Sequence, residues 1–345
     1  MSRRGLLAVV LASVSLLGAT GTTCLLNSTP VNAASLNEQL DIPIHNGTQG
    51  ELRDEADRLV RIGGQYEQQG SLEKAIASWQ QAVELYQRIG DVSATGLTYD
   101  FIGLTYAQLG RIREAEDALR RRLAIARDNR DFRGQIYGLN NVGTVLLRRG
   151  APQAAAATFD EALTIARNIN SLEGQGLSLS NLGLAAVTSG NYNQGIKQLE
   201  SALTYRRQVG DPSGEATTYN NLGDAYRGAK NYRDAANAYG VALRLARTSR
   251  DRTNHLRAID GLVASYRPLG NYTRALELLD QRLALTQEQD NLRQQLTTLR
   301  SLAEIYQAAG NRETARNFYQ RAIVVARALE DTRSEAVLLD QLRRL

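Results

Sequence analysis

Glycine recurs every 40 residues through the middle of this 345-residue chain, and this period constrains the fold more than any other feature. The first series consists of Gly63, Gly103, Gly143, Gly183 and Gly223. A second series lies seven residues further on and consists of Gly70, Gly110, Gly150, Gly190, Gly270 and Gly310, with Lys230 as its one interruption. A fixed period of this length is typical of proteins built from stacked repeats. Seven repeats fit without an insertion: 51–90, 91–130, 131–170, 171–210, 211–250, 251–290 and 291–330.

Each repeat contains two stretches with the periodicity of a helix. In the fifth repeat the first apolar face consists of Tyr219, Leu222, Ala225 and Tyr226, and the second of Ala235, Ala238, Tyr239, Ala242 and Leu245. Glycine of the second series stands where the first helix ends, because it adopts the left-handed conformation at little cost. The small residues within the helices predict that the two helices of a repeat approach each other closely.

Short polar residues stand where each helix is expected to begin. They are Asp91, Asp131, Asp211 and Asp251 before first helices, and Asn191, Asn231, Asn271 and Asn311 before second helices. Such side chains accept a hydrogen bond from a backbone N–H of the first turn. The pattern therefore predicts a helix, a bend and a second helix in each repeat.

These features resemble the tetratricopeptide repeat family. Its signature falls on Tyr219, Leu222, Gly223, Tyr226, Ala235, Tyr239 and Ala242. The period of 40 exceeds the usual repeat of about 34 residues and is similar to that of the subclass found in kinesin light chains and LGN-type adaptors. The resemblance implies an all-α, right-handed superhelical solenoid whose first helices line a concave groove. Residues 331–345 are expected to form a capping helix that uses Leu338, Leu339 and Leu342 to cover the last helix pair.

Asparagine recurs at two adjacent positions of the first helix in the central repeats. These residues are Asn140, Asn141, Asn181, Asn220 and Asn221. An Asn side chain offers one acceptor and two donors, which suits an extended peptide backbone. In the long-repeat relatives the matching asparagines hold the main chain of a bound segment, and the resemblance implies the same role here. The alternative is that each asparagine bonds a neighbouring helix and steadies the superhelix.

Charged residues flank the asparagines on the same expected face. The candidate groove residues of this kind are Arg148, Asp224, Arg227, Arg257, Arg267 and Arg300. Because the later repeats are rich in arginine, an acidic or carboxylate-bearing ligand is expected there. The lysines that form a carboxylate clamp in chaperone-binding members of the family have no counterparts at these positions.

Two repeats replace a small residue of the second helix with arginine, and the same two carry an acid early in the first helix. An antiparallel pair that bends near residue 111 brings Asp100 and Arg122 to the same depth, and a bend near residue 271 does so for Asp260 and Arg282. Either these residues form an ion pair within each repeat, or they are separate surface charges.

The first 33 residues have the pattern of an export signal. Arg3 and Arg4 precede an apolar run, and Val31-Asn32-Ala33 ends in the small residues that a signal peptidase recognises. Cleavage after Ala33 predicts a protein exported to a bacterial periplasm or the exterior, with residues 34–50 as a flexible linker. Two alternatives stay open: the leader is retained as a membrane anchor through its uncharged run from Gly5 to Leu26, or the arginine pair directs the chain to the twin-arginine route.

The composition argues against catalysis and nucleic-acid binding. The single cysteine, Cys24, lies in the leader, so no disulfide is expected within the chain. His45 and His255 are the only histidines, and no cluster has metal-ligand spacing. The net charge is +5, but basic and acidic residues alternate as they do on solvated helices. We therefore expect no catalytic, cofactor or metal site.

The function expected from the sequence is a protein–protein interaction scaffold or adaptor that acts outside the cytoplasm. It would bind an extended peptide or protein segment in the concave groove. The alternative is a substrate-recruiting or regulatory subunit for a separate enzyme of the cell envelope.

Overall fold

The computed structural model describes residues 50–288 and 291–345, and these residues form fifteen α-helices and no strand. The helices are α1 Glu51–Gln68, α2 Leu72–Arg88, α3 Val92–Gln108, α4 Ile112–Asp128, α5 Phe132–Arg148, α6 Pro152–Asn168, α7 Leu172–Thr188, α8 Tyr192–Val209, α9 Pro212–Gly228, α10 Tyr232–Thr248, α11 Arg252–Tyr266, α12 Tyr272–Gln287, α13 Leu292–Ala308, α14 Arg312–Ala328 and α15 Thr332–Arg343. The all-α class is confirmed. The predicted leader and linker lie outside the described residues, apart from Gly50.

The chain divides into two compact parts, and the boundary between them in the sequence follows Asn221 of α9. In the N-terminal part, each helix from α1 to α7 packs against the next one along the chain, and the last of these contacts is that of α7 with α8. In the C-terminal part, α10 to α15 pack in the same sequential way. Contacts between sequential helices are what a repeat architecture requires, because one helix pair cannot bury its own apolar face.

Glycine of the first series lets the two helices of a repeat approach closely. A Cβ placed on Gly143 would lie 2.3 Å from Cε1 of the Phe159 ring, and one on Gly223 would lie 2.6 Å from the Tyr239 ring. Both rings are buried. The predicted close approach of the two helices is therefore present in these repeats.

The bends between helices contain a residue in the left-handed conformation. Gly150 and Gly190 have φ values of +82° and +79°. Lys230 adopts φ 61° at the one position where the glycine series is interrupted. The backbone thus keeps the same bend there although a non-glycine residue is strained in it.

Most of the predicted helix caps are present. Asp131 accepts a hydrogen bond from the Gly134 backbone N–H at 2.8 Å, and Asn231 accepts one from that of Asp234 at 3.3 Å. The prediction is wrong for Asn191, whose side chain makes no capping bond although the residue occupies the N-cap position of α8. The N-cap position favours a short polar residue, but its capping hydrogen bond forms only if the side chain points toward the backbone N–H groups of the first turn.

The C-terminal helix α15 covers the last repeat, as predicted. Leu338 is buried in the apolar cluster formed by α12, α13 and α14, and Leu339 and Leu342 pack against the same cluster. In the described residues, none of the helices combines the length and apolar character needed to cross a bilayer.

Candidate functional site

The predicted asparagines lie on the first helices of their repeats, and their side chains are buried. Asn140 and Asn181 are each 2% exposed, Asn141 is 6% exposed, and Asn220 and Asn221 are fully buried. Buried amides are stable only if their donors and acceptors are paired. The partners of these amides therefore decide what the asparagines do.

The amides of α5 and α7 bond to each other and to α3. Asn141 Nδ2 donates to Asp100 Oδ1 at 3.3 Å, and Asn181 Nδ2 donates to Asn140 Oδ1 at 2.8 Å. Asn140 Nδ2 in turn donates to the Ile136 carbonyl at 2.8 Å and to Ser178 Oγ at 3.0 Å. These bonds connect three successive first helices.

The same bond continues into α9 at the end of the N-terminal part. Asn221 Nδ2 donates to Ser180 Oγ at 3.4 Å, and the hydroxyls of Ser180 and Thr218 are 3.1 Å apart. Each second-position asparagine thus donates to the first-position side chain of the preceding repeat, 41 residues earlier. We call the set formed by Asp100, Asn140, Asn141, Ser178, Ser180, Asn181, Thr218 and Asn221 the polar ladder.

The polar ladder has the bonding that a stabilising role requires. An extended ligand would need these amides to exchange their bonds within the fold for bonds to its backbone. Ligand binding by Asn141, Asn181 and Asn221 stays a prediction that competes with this observed bonding.

Asp100 also forms an ion pair with Arg122, one of the two alternatives that the sequence leaves open. Its Oδ2 accepts a hydrogen bond from Arg122 Nε at 3.0 Å, and both residues are buried. Nη2 of Arg122 lies 3.4 Å from Oδ2 of Asp131, the N-cap residue of α5. Burial raises the pKa of Asp100, while the adjacent Arg122 guanidinium and the Asn141 amide oppose this rise. In the C-terminal part, the pair of Asp260 and Arg282 is also present, at 2.8 Å.

Arg148 does not extend freely from its helix. Its Nη1 donates to the Ala107 carbonyl at 3.0 Å, near the end of α3. Burial lowers the pKa of Arg148, but an arginine remains charged at neutral pH. Arg148 therefore places a half-buried positive charge beside the last turn of α3.

In the C-terminal part, Asp224 is the centre of a charged cluster. Its Oδ2 accepts from Arg257 Nη2 at 2.6 Å, and its Oδ1 accepts from the Tyr239 hydroxyl at 2.5 Å and from Arg227 Nη2 at 3.4 Å. Burial, with the adjacent Asp224 carboxylate, raises the pKa of Tyr239 well above its usual value, so this hydroxyl stays a donor. Two guanidinium groups thus face one carboxylate.

A second cluster also sets two guanidinium groups against one carboxylate, Glu304, which stands 80 residues after Asp224. Glu304 Oε2 lies 3.8 Å from Arg267 Nη1, and its Oε1 lies 3.6 Å from Arg300 Nε. All three side chains are at least 40% exposed. Ala264, which holds the equivalent position of the intervening repeat, is exposed and uncharged. The second cluster therefore carries an accessible excess of positive charge.

The repeat pattern alone does not indicate the serine and threonine members of the polar ladder, Ser178 and Thr218. Ser178 and Thr218 each lie 38 residues after a bonded partner, Asn140 and Ser180. A separation of 38 is one repeat period less about half a helical turn. It is a weak signal in the sequence, because serine and threonine in a helix are more often bonded to their own backbone.

The described residues contain no cluster of three or more His, Cys, Asp or Glu side chains that would hold a metal ion. His255 is half-buried on α11, and burial together with Arg247 and Arg252 lowers the pKa of its imidazole.

Comparison with known sequences and structures agrees with this architecture. A sequence model described as tetratricopeptide repeat matches residues 55–128, 174–248 and 255–328, which together make up more than half of the chain. The chain belongs to the tetratricopeptide repeat family. No curated protein sequence matches it.

Several solved tetratricopeptide repeat structures are similar to the chain. A signal transduction ATPase with numerous domains and a tetratricopeptide repeat sensor from Pyrococcus horikoshii has a TM-score of 0.59 and 19% identity, over 83% of this chain and 44% of that one. The chain thus spans less than half the length of that ATPase.

Two Rap proteins match over nearly their whole length. The apo form of RapI has a TM-score of 0.58 and 16% identity, over 80% of this chain and 99% of that one. A Rap protein complexed with competence and sporulation factor has a TM-score of 0.55 and 14% identity, over 85% and 96%. At these identities the similarity concerns the fold.

Proposed function

We propose that this tetratricopeptide repeat protein is a non-catalytic scaffold that binds an acidic, extended segment of a partner protein. The observation that carries the proposal is the pair of arginine-rich clusters around Asp224 and Glu304. Each cluster sets two guanidinium groups against one carboxylate, so each has one positive charge in excess. Guanidinium groups bind carboxylates through charge-assisted hydrogen bonds.

The second cluster is assigned the direct contact with the ligand. Arg267 and Arg300 lie at 3.8 and 3.6 Å from Glu304, beyond good hydrogen-bond distance; Arg267 is exposed and Arg300 is partly exposed. A ligand carboxylate can therefore approach them without breaking a short bond. Around Asp224, Arg257 is buried and held at 2.6 Å, so this cluster contributes mainly through its charge.

The proposal is tested with a fluorescent, extended peptide rich in Asp and Glu and with its counterpart in which Asn and Gln replace them. We expect the acidic peptide to bind more tightly, with an affinity that falls as salt is added. Arg267→Gln and Arg300→Gln should each weaken its binding about threefold to tenfold, because each removes one charged donor.

The matched control is Arg274→Gln. Arg274 is as exposed as Arg267 and lies in the same part of the chain, but it is on the second helix α12 and bonds Glu277. This variant should bind the acidic peptide like the wild type. An equal loss in all three variants would mean that only net charge matters, and the proposed site would be wrong.

The location outside the cytoplasm is part of the proposal. It is supported by the basic, apolar and small-residue order of residues 1–33. Mass spectrometry of the native protein should find a mature N-terminus at Ala34. A chain that retains Met1 in the membrane fraction would favour the anchored alternative.

A further inference from the structure

One repeat lacks the large side chain that the other six carry near the end of the first helix. Five repeats have tyrosine at this position: Tyr66, Tyr106, Tyr226, Tyr266 and Tyr306. The third repeat has Leu146, and the fourth has Ala186. The side chain that fills the corner between the two helices elsewhere is therefore reduced to a methyl group in the fourth repeat.

The structure shows what surrounds the ring where tyrosine is present. The Lys74 ammonium lies 5.7 Å from the centre of the Tyr66 ring, and the Arg111 guanidinium lies 4.7 Å from that of Tyr106. Both partners come from the bend or the first turn of the second helix in the same repeat.

In the seventh repeat the ring is stacked. Tyr306 and Phe318 have ring centres 5.4 Å apart and planes inclined by 8°. Phe318 lies one turn further along the second helix than the position equivalent to Lys74. Residues at three positions of the bend and the second helix, those of Arg111, Lys74 and Phe318, thus lie next to the ring in one repeat or another.

In the fourth repeat the equivalents of these three residues line a cavity of about 240 Å³. Asn191 corresponds to Arg111, Gln194 to Lys74 and Gln198 to Phe318. The cavity is also lined by Pro152, Gln153, Ala156, Leu182, Ala185, Ala186 and Ser189. The cavity is therefore the position of the tyrosine ring in the other repeats, with an apolar base and amide groups around it.

One acceptor in this cavity makes no hydrogen bond. Gln198 Oε1 is buried and has no partner among the described residues. A buried carbonyl oxygen without a donor is unfavourable. An occupant that brings an N–H or O–H group into the cavity would satisfy it.

We propose that this cavity binds the aromatic side chain of a partner protein, and specifically one that carries a donor, namely tyrosine or tryptophan. The partner's ring takes the place that the chain's own tyrosine takes in five other repeats, and its hydroxyl or indole N–H donates to Gln198 Oε1. The inference rests on the proposed function in one respect, because it assumes a protein partner. It concerns a different part of the chain, residues 152–198.

The test uses N-acetyl-tyrosinamide and the phenylalanine and leucine counterparts as probes, with binding followed by NMR of the labelled protein. We expect saturable binding of the tyrosine probe, with shifts at Asn191, Gln194 and Gln198. The phenylalanine probe should bind about twofold to tenfold more weakly, because it lacks one hydrogen bond, and the leucine probe should bind more weakly still.

Ala186→Tyr should abolish probe binding, because the chain then supplies its own ring. Thr188→Tyr is the matched control, since it adds the same ring at an exposed position of the same helix and should bind the probe like the wild type. Gln198→Leu should bind the tyrosine and phenylalanine probes equally. Gln198→Leu therefore tests the hydrogen bond from the ligand's hydroxyl to Gln198 Oε1 even if Ala186→Tyr fails to fold.

Absence of saturable binding to the wild type would overturn the proposal, as would unchanged binding to Ala186→Tyr. Tyrosine and phenylalanine probes of equal affinity for the wild type would overturn the role of Gln198. Arg267→Gln and Arg300→Gln should leave probe binding unchanged. Failure at this cavity is therefore distinguishable from failure of the acidic-peptide site.

Discussion

Asp100 and Arg122 form an ion pair inside the protein. Both are buried, and the carboxylate is 3.0 Å from Arg122 Nε. Removing one member of a buried ion pair leaves an uncompensated charge, which is far more costly than losing a surface pair. The pair therefore couples the two helices of the second repeat.

Arg122→Gln should lower the free energy of unfolding by about 3–5 kcal/mol at neutral pH. Burial already raises the pKa of Asp100 above its unfolded value of 3.8, and Arg122 opposes this rise, so the variant raises it further. The stability that a raised folded pKa contributes is present at low pH and is lost as the pH rises through that pKa. The defect should therefore be smaller near about pH 5 than near about pH 7.5, as measured by denaturant unfolding.

Asp100→Asn in the Arg122→Gln background is the control for this pair. The double variant should be more stable than the sum of the two single changes predicts, by about 1 kcal/mol or more. Additive effects, with a defect that does not change with pH, would show that the two charges do not interact.

The polar ladder gives the asparagines a testable structural role. Replacing Asn141, Asn181 and Asn221 together with alanine removes their buried bonds to the preceding repeat, at about 0.5–1.5 kcal/mol each. The triple variant should unfold at lower denaturant concentration and bind an extended peptide like the wild type. The ligand-binding interpretation predicts the opposite result, weaker peptide binding at an unchanged unfolding midpoint.

At the scale of the helix pair, the contact between Gly143 and Phe159 fixes how closely α5 and α6 approach. A Cβ on Gly143 would be only 2.3 Å from the ring, whereas one on Gly64 of α1 would have no neighbour within 4 Å. Gly143→Ala should therefore lower stability by about 1–3 kcal/mol through overpacking. Gly64→Ala should raise it by about 0.5–1 kcal/mol, because alanine favours the helix.

Denaturant unfolding of the two glycine variants measures this difference. The two substitutions are chemically identical and both lie inside a first helix. They differ mainly in whether the added methyl group meets a side chain of the neighbouring helix. Equal effects would show that the first glycine series reflects helix propensity and not packing.

At the scale of the whole molecule, the helix α15 covers the apolar surface formed by α12, α13 and α14. Leu338 is 1% exposed within the cluster that also contains Tyr319 and Ile323. Ending the chain after Asp331 should expose this surface. Since repeats contact mainly their neighbours, amide hydrogen exchange should become faster in α13 and α14 and should be unchanged in α5 to α8.

Full-length protein measured under the same conditions is the reference for this truncation. Uniformly faster exchange over all fourteen remaining helices would show that the array unfolds as one cooperative unit, which would contradict local stabilisation by the cap.

The sequence by itself determined the elements and their local partners. The period of 40, the glycines at the bends and the polar helix starts predicted the helix pairs, and the geometry of one pair placed Asp100 and Arg122 at the same depth without deciding whether they form an ion pair. These features depend on residues close in sequence, where helix geometry leaves few alternatives. The tertiary structure alone decided how side chains of different repeats meet.

Asn181 shows the difference most clearly. Its place on the first helix followed from the pattern, but an amide donates equally well to a ligand or to Asn140, and only the packing of α5 against α7 brings Asn140 Oδ1 within 2.8 Å. In the same way, Ala186 was visible as a small residue, but the cavity beside it depends on the rotamers of Asn191, Gln194 and Gln198. The repeated sequence determines at which helix position each side chain stands, and the packing between repeats determines which groups its polar atoms bond.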